Sequence, residues 1–356
     1  MNYYQNNRYF KETINKYFEE KNWNLMTNSN EDNIYVDVDY PNKTCNKCKI
    51  INQFNDIDMI GNKKKQYLNI LKYKKDLPEY IPKTYIFTKE TIEDIITIFD
   101  GTTWIIKPEN SLARNGIELV QSFQETKEHI SKYSWNEWII QKYIQNPLLI
   151  NNKKFHFRLY VIVIKNNDNV NVYFYNKGFM YFSKKEYTLD NLNKDVHLSG
   201  ENNKEAVKVF PEYFIESFNE EIYNTSIIPQ FKEIVENTIL SVYEKIECPN
   251  NDVDNHKCFK MLGYDILIDD NYKLYLAEIN ARLISLKYPP QGFKEEFYNN
   301  VLGLVTSDNI LRNQEEIVNK NLLFTYVTNK NYNYNMRYFY ITLVVIGIII
   351  IIKSTI

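Results

Sequence analysis

Asp265, Glu278 and Asn280 are the residues whose types and spacing most suggest chemistry. They lie in MLGYDILIDDNYKLYLAEINAR, Met261–Arg282, where two apolar runs flank Asp269-Asp270-Asn271. That pattern predicts a β-hairpin. Side chains on a strand alternate faces, so Glu278 and Asn280 point the same way. A two-residue turn at Asp270-Asn271 sets Asp265 opposite Leu276 and places all three groups on one face, within about 5–8 Å. Two carboxylates and an amide oxygen make a hard-oxygen site. Such a set suits Mg²⁺, which takes one or two carboxylates and then substrate phosphates. Ordinary surface acids at strand ends give the same pattern.

Cationic residues lie upstream. In TWIIKPENSLARNGIELV, Thr103–Val120, a short strand delivers Lys107, a polar loop follows, and a second strand begins at Ile117. Lysine is a compact cation that reaches phosphate oxygens. The loop carries Arg114 and Gly116, and its backbone N–H groups can approach phosphates. Gln141-Lys142-Tyr143-Ile144 sits at a strand end before Asn146-Pro147, where extended backbone can pair with an adenine edge. Lys154, His156 and Arg158 then share one strand face, with Phe155, Phe157 and Leu159 on the other. Burying such a row without an anion is costly, so it is read as facing phosphate. His197 and Ser199 follow on a strand-like segment, where a lone histidine is read as structural.

The elements that must position these groups alternate strand and helix, an α/β (α+β) pattern. Residues 1–86 are expected to form a small α/β unit, with helices at Tyr9–Lys21 and Lys63–Tyr73 and a strand at Ile34–Val38. Residues 87–200 and 201–325 are read as two further units, the second holding the metal site. Phe155–Ile164 is a strand rich in β-branched and aromatic residues. Apolar spacing from Phe231 to Ile246, with Pro229 just before, predicts an amphipathic helix. The Asn-rich stretches Asn191–Lys204 and Asn250–Asn255 are read as loops.

At 356 residues and 44% hydrophobic, the chain can bury a sizeable core. A net charge of −2 provides no global basic field, so nucleic acid is not an expected partner. Lysines 63–65, 72, 74 and 75 form a local basic surface able to attract an acidic tail. Cys45-x-x-Cys48 has zinc-like spacing, but Cys248 and Cys258 lack it, so the four are expected to be reduced, unpaired thiols of a cytosolic chain. After a polar linker, 326–337, comes YFYITLVVIGIIIII, Tyr338–Ile352, fifteen uncharged residues between Arg337 and Lys353. As a helix it spans roughly 22 Å, short of a ~30 Å hydrocarbon core. Snorkelling flanks and local thinning can close that gap, so a C-terminal hydrophobic helix anchoring a cytosolic domain to a membrane is expected.

Taken in order, these segments resemble the tubulin-tyrosine ligase-like family of ATP-grasp ligases over about residues 50–285. The matching pieces are Trp104–Pro108, Gly116-Ile117, Gln141–Ile144, Pro147–Leu149, Lys154–Arg158, then Gly263 with Asp265, and Glu278 with Asn280. The resemblance implies an ATP-grasp fold and Mg²⁺ held by Asp265, Glu278 and Asn280. Lys107 would contact phosphates, Gln141 to Ile144 would line the adenine, and Lys154 would reach the nucleotide. Arg158 would bind the γ-phosphate or the acyl phosphate formed from it. The implied reaction joins a free amino acid to a protein carboxylate, such as one in the tubulin C-terminal tail.

There are departures from the family pattern. His156 replaces an aspartate, the loop arginine Arg114 is shifted by one, and Tyr181 replaces an arginine. Ser199 keeps a hydroxyl while Gly200 drops an amide, and Ala281-Arg282 follows where a proline is usual. These changes leave open an impaired pseudo-enzyme acting as a membrane-anchored ATP- or tubulin-binding module. A ligase with a non-tubulin acceptor is a third possibility.

Overall fold

Among the described residues the apolar runs pair into two sheets, one of twelve strands and one of four. The computed structural model describes residues 1–4, 11–26, 34–37, 48–111, 114–200, 207–250, 256–281, 292–307, 314–319 and 322–331. In chain order the strands are β1 Asn2–Tyr4, β2 Asn24–Leu25, β3 Ile34–Asp37, β4 Ile50–Ile51, β5 Thr84–Thr88, β6 Trp104–Pro108, β7 Glu118–Val120 and β8 Glu137–Lys142. They continue as β9 Leu149–Ile150, β10 Lys153–Asn166, β11 Asn169–Tyr175, β12 Gly178–Phe182, β13 Val207–Phe210, β14 Lys257–Ile268, β15 Leu274–Asn280 and β16 Phe324–Asn331. The helices are α1 Lys11–Glu20, α2 Asp58–Gly61, α3 Lys63–Lys74, α4 Phe123–Ser131 and α5 Lys194–His197, followed by α6 Glu212–Ser217, α7 Glu220–Ile222, α8 Ile228–Leu240, α9 Phe293–Val305 and α10 Gln314–Asn319.

β10 organises the large sheet. Along one edge it pairs with β14 from His156 to Asn166, and along the other first with β12 and then with β11. Its Phe155, Phe157, Leu159, Val161 and Val163 all enter one core, which α8 covers with Phe231, Ile234, Val235 and Ile239. On the reverse face, Tyr160, Ile162 and Ile164 lie under α9 with Phe297 and Val301. Only the first part of that reverse face is polar, and it carries Lys154, His156 and Arg158. The row is therefore interior, not an edge strand facing solvent.

The small sheet runs β5-β8-β6-β7. Trp104, Ile106, Trp138 and Ile140 turn into its own core, leaving Lys107, Ile139 and Gln141 on the face toward Leu276 and Ala277 of β15. Its helix α4 starts where Ser122 caps Glu125 N–H while Glu125 accepts from Gln121 N–H, a reciprocal arrangement that satisfies two otherwise orphaned donors.

Several local expectations are corrected. The β14–β15 turn spans three residues, with Tyr272 in the left-handed region (φ 59°) after Asp270-Asn271. Ile266 pairs with Leu276, and a bulge at Ala277 then sets Asp265 opposite Glu278, not Leu276. The extra residue resets the alternation, so Leu276 stays in the core while Glu278 faces Asp265. The segment at His197 is the short helix α5, not a strand or loop, because Asn193 caps Asp195 N–H and starts a turn. The helix expected to run to Ile246 ends at Leu240, with a 3-10 turn at Tyr243–Lys245.

The cysteines are not unpaired. Cys248 and Cys258 form a disulfide, with Cα atoms 5.6 Å apart, and Cys48 is disulfide-bonded as well. β4 pairs beside β14 at Cys258, so the fold gathers the two cysteine-bearing stretches at one place. β16 takes in residues 326–331 of the stretch read as a linker. The hydrophobic run 338–352 lies outside the described residues. Among the described residues no helix is long and apolar enough to cross a membrane.

Candidate active site

Asp265, Glu278 and Asn280 converge, as their types suggest they should. Asn280 Nδ2 lies 3.3 Å from Asp265 Oδ2 and 3.4 Å from Glu278 Oε1. Oxygen donors of this kind fit a divalent cation such as Mg²⁺. Among the described residues, no cluster of three or more His, Cys, Asp or Glu is suited to a metal. The two carboxylates already have cationic partners. Arg158 grips Asp265 with two hydrogen bonds, Nε to Oδ1 and Nη2 to Oδ2 (2.8 Å). Lys63 Nζ lies 3.4 Å from Glu278 Oε2. Burial alone would lower the Arg158 pKa, but the Asp265 charge outweighs it and holds the guanidinium firmly protonated.

Two ammonium groups lie nearby. Lys107 is 8% exposed and donates to Ala277 C=O at 3.4 Å across the gap between the sheets. Burial, and then the charge of Lys63, lowers its pKa to about 8. Lys154 is 3% exposed and donates to Tyr143 Oη at 2.8 Å. Burial, then Lys107, lowers it to about 7. The Tyr143 hydroxyl sits 2.8 Å from His197 Nδ1, while His197 Nε2 lies 2.7 Å from Asn191 C=O. The carbonyl fixes the proton on Nε2, so Nδ1 accepts from Tyr143. His197 thus belongs to a hydrogen-bonded chain that runs through Tyr143 to Lys154.

His156 is buried and neutral. Burial, then the charges of Arg158 and Arg114, keeps its pKa well below the ordinary histidine value. Its Nδ1 lies 2.6 Å from Ser199 Oγ. Its Nε2 has no hydrogen-bond partner and faces Asp265 Oδ1 at 3.7 Å. Its ring stacks on Tyr181, the cross-strand neighbour, with centroids 5.3 Å apart. The Arg158 guanidinium lies 5.8 Å from the Tyr181 ring centroid.

The remaining candidates divide. Gln141 lines the cleft and donates to Thr84 Oγ1 at 2.8 Å. Lys142 is exposed and Ile144 half-buried. Gly116 has φ 74°, and a Cβ there would come within 2.6 Å of Pro108 and Trp135, so both backbone conformation and packing call for glycine. Arg114 also has a positive φ (63°) and reaches Leu198 C=O at 3.5 Å. Lys63 and Tyr143 take part through their side chains in ways the sequence did not signal. Asn62 caps α3 at Lys65 N–H and so aims the first turn, with Lys63, into the cleft. Lys64 and Lys65 are paired with Glu137 and Asp56, which leaves less of the expected basic face unpartnered.

A polar cleft between two sheets is lined by buried cations beside paired carboxylates, an electrostatic setting compatible with a polyanion. The profile of the Tubulin-tyrosine ligase family matches residues 42–282, and the chain belongs to that family. It is 27% identical over 310 residues to "Probable alpha-tubulin polyglutamylase Ttll1" of Tetrahymena thermophila, covering 74% of this chain and 73% of the relative. It is 30% identical over 207 residues to "Tubulin glycylase 3C" of the same organism, covering 53% of this chain and 19% of that protein. It is 27% identical over 221 residues to "Probable tubulin polyglutamylase ttll-9" of Caenorhabditis elegans, covering 57% and 52%. The chain thus spans most of one relative, about half of another and a fifth of the glycylase.

Proposed function

We propose that this chain is an ATP-grasp ligase that uses ATP and Mg²⁺ to join a free amino acid to a protein carboxylate, with the tubulin tail as acceptor. One observation carries the reading. Lys107, Lys154 and Arg158 meet Asp265, Glu278 and Asn280 in one cleft, although they come from widely separated stretches of chain. The names of the relatives support the acceptor.

Asp265, Glu278 and Asn280 would hold Mg²⁺, which neutralises phosphate charge when bound. Lys107 and Lys154 would pair with the triphosphate, replacing their mutual repulsion by attraction. Gln141 to Ile144 would border the adenine. His156 and Ser199 would position the cleft floor, and Gly116 the loop over it. A carboxylate oxygen of the acceptor attacks the γ-phosphorus as the bond to ADP breaks. The amine of the incoming amino acid then attacks the acyl carbon, loses a proton and expels phosphate. Arg158 would meet the negative charge present in both steps.

The test is mass spectrometry of tubulin incubated with the chain, ATP·Mg²⁺ and mixed amino acids. A defined mass increment names the addition, and Glu278→Gln should abolish it. Normal labelling by Glu278→Gln would refute the assignment. The neutral His156–Tyr181 stack favours a second reading, a pseudo-enzyme that binds without transfer. Tight ATP·Mg²⁺ binding with no amino-acid-dependent ADP release would select it. The run 338–352 supports membrane anchoring, and co-sedimentation with membranes that is lost on its deletion is the expected result.

A further inference from the structure

We propose that His197 is a positioning residue: acting through Tyr143, it holds the Lys154 ammonium in place for the anion that enters the cleft. The inference rests on the reading of that cleft as a nucleotide site and deepens it, by naming what holds one of its two buried lysines.

Three observations carry it. First, the direction of the hydrogen-bonded chain is set from its far end. Asn191 C=O can only accept, so His197 Nε2, 2.7 Å away, donates. Nδ1 is then the acceptor and takes the Tyr143 hydroxyl proton at 2.8 Å. The Tyr143 oxygen is left to accept, and Lys154 Nζ donates to it at 2.8 Å. A hydroxyl free to turn could instead donate to an uncharged amine. With its proton committed to His197, it favours the ammonium. Second, every link is buried and packed. His197 is 1% exposed and lies edge-on to both Tyr143 and Tyr187, with ring centroids 5.4 Å from each. Tyr143 and Lys154 are buried as well, and Nζ lies 4.3 Å from the Tyr143 ring centroid. Third, the segment that carries the far end of the chain also grips the near one. Ser183 N–H donates to Lys154 C=O at 2.8 Å, Tyr187 N–H to Asn152 C=O at 2.8 Å, and Lys185 N–H to Asp195 C=O at 3.0 Å. Residues 183–198 therefore hold Lys154 at its backbone and, through His197 and Tyr143, at its ammonium. Among the described residues the ammonium donates to Tyr143 Oη alone, which leaves two of its three N–H donors for an incoming anion.

Calorimetry with AMP-PNP·Mg²⁺ reads the effect without turnover. Tyr143→Phe and His197→Leu should each weaken binding roughly tenfold, the loss expected for one hydrogen bond to a charged group. His197→Asn keeps an acceptor oxygen near the place of Nδ1 and should recover most of the affinity. In a Lys154→Met background neither Tyr143→Phe nor His197→Leu should weaken binding further, because the group they position is gone. A merely structural role lowers affinity in both backgrounds, so losses that add to that of Lys154→Met overturn the proposal. An unchanged affinity in His197→Leu does the same. Should His197→Leu fail to fold, His197→Phe, which keeps an edge-on ring and lacks the acceptor, takes its place. A second readout needs no ligand. The Lys154 Cε signal of protein carrying ¹³C-labelled lysine, assigned by its absence in Lys154→Met, should shift in His197→Leu and return in His197→Asn. An unshifted signal overturns the proposal. If the coupling appears but the wild-type chain adds nothing to tubulin, the ligase reading fails and the positioning stands. If the wild-type chain binds no nucleotide, the nucleotide reading fails and the lysine signal decides.

Discussion

The two buried lysines show how much a single residue's environment matters here. Lys154 and Lys107 carry pKa values near 7 and 8 because both are dry and each repels a neighbouring cation. Their ordinary value is 10.5. Between about pH 7 and 10.5 the unfolded chain therefore binds more protons than the folded one, and these groups make stability rise with pH across that window. A bound triphosphate reverses the cause of the shift. Nucleotide binding at pH 8 should take up about one proton, and almost none at pH 6, where both are already charged. Calorimetry in buffers of different ionisation enthalpy measures this, and Lys154→Met should reduce the uptake. Lys63 offers a second test. A divalent cation must compete with it for Glu278, and Lys63 is only 13% exposed at its side chain. Lys63→Gln should strengthen Mn²⁺ binding in nucleotide-free protein by roughly threefold to tenfold, within the range of partly buried ion pairs. Weaker Mn²⁺ binding would show that Lys63 orders the site.

At the scale of elements, the sequence disclosed more about strands than about their partners. Alternation along Lys154–Leu159 was readable, because a strand with one wholly apolar face and three polar groups on the other has few alternative placements. The bulge at Ala277 was not readable, since nothing in LYLAEIN marks where alternation resets. Nor could spacing reveal that Arg158 pairs with Asp265, 107 residues away, or that Lys63 belongs to the cleft. Such contacts follow from strand order, and strand order from the whole core. Phe157 shows what holds β10 in place. It is fully buried and packs edge-on against Phe210, Phe214 and Phe231. Phe157→Ala should cost about 3–5 kcal/mol in denaturant unfolding, from lost transfer energy and a cavity. The Cys248–Cys258 bond, ten residues apart in sequence, ties the entry of β14 to the preceding loop. Loop-closure entropy assigns it about 2–3 kcal/mol. Cys248→Ser should lower the urea midpoint accordingly, with a slope that stays the same or rises slightly as the unfolded chain loses its constraint.

At the scale of the whole molecule, the described residues form two sheets with a charged seam. The chain's net charge is only −2, yet Lys107 of the small sheet and Lys63 of α3 line the seam beside Lys154, Arg158, Asp265 and Glu278 of the large sheet. Local excess, not overall charge, governs what enters. Lys107 spans the seam from the small sheet to Ala277 of the large one, so an anion held by Lys107 and Lys154 contacts both sheets at once. A ligand that binds only this joined arrangement stabilises it by mass action. AMP-PNP·Mg²⁺ at a hundred times its Kd should add about 2.7 kcal/mol to the unfolding free energy. The gain should shrink as ionic strength rises and partly exposed charges are screened. Lys107→Ala removes the bridging cation along with its repulsion of Lys154. The empty variant should therefore melt no lower than wild type, while its nucleotide-dependent shift is largely lost. A variant that melts lower yet keeps its full shift would mean that the two sheets are joined by packing alone and that the nucleotide is held elsewhere.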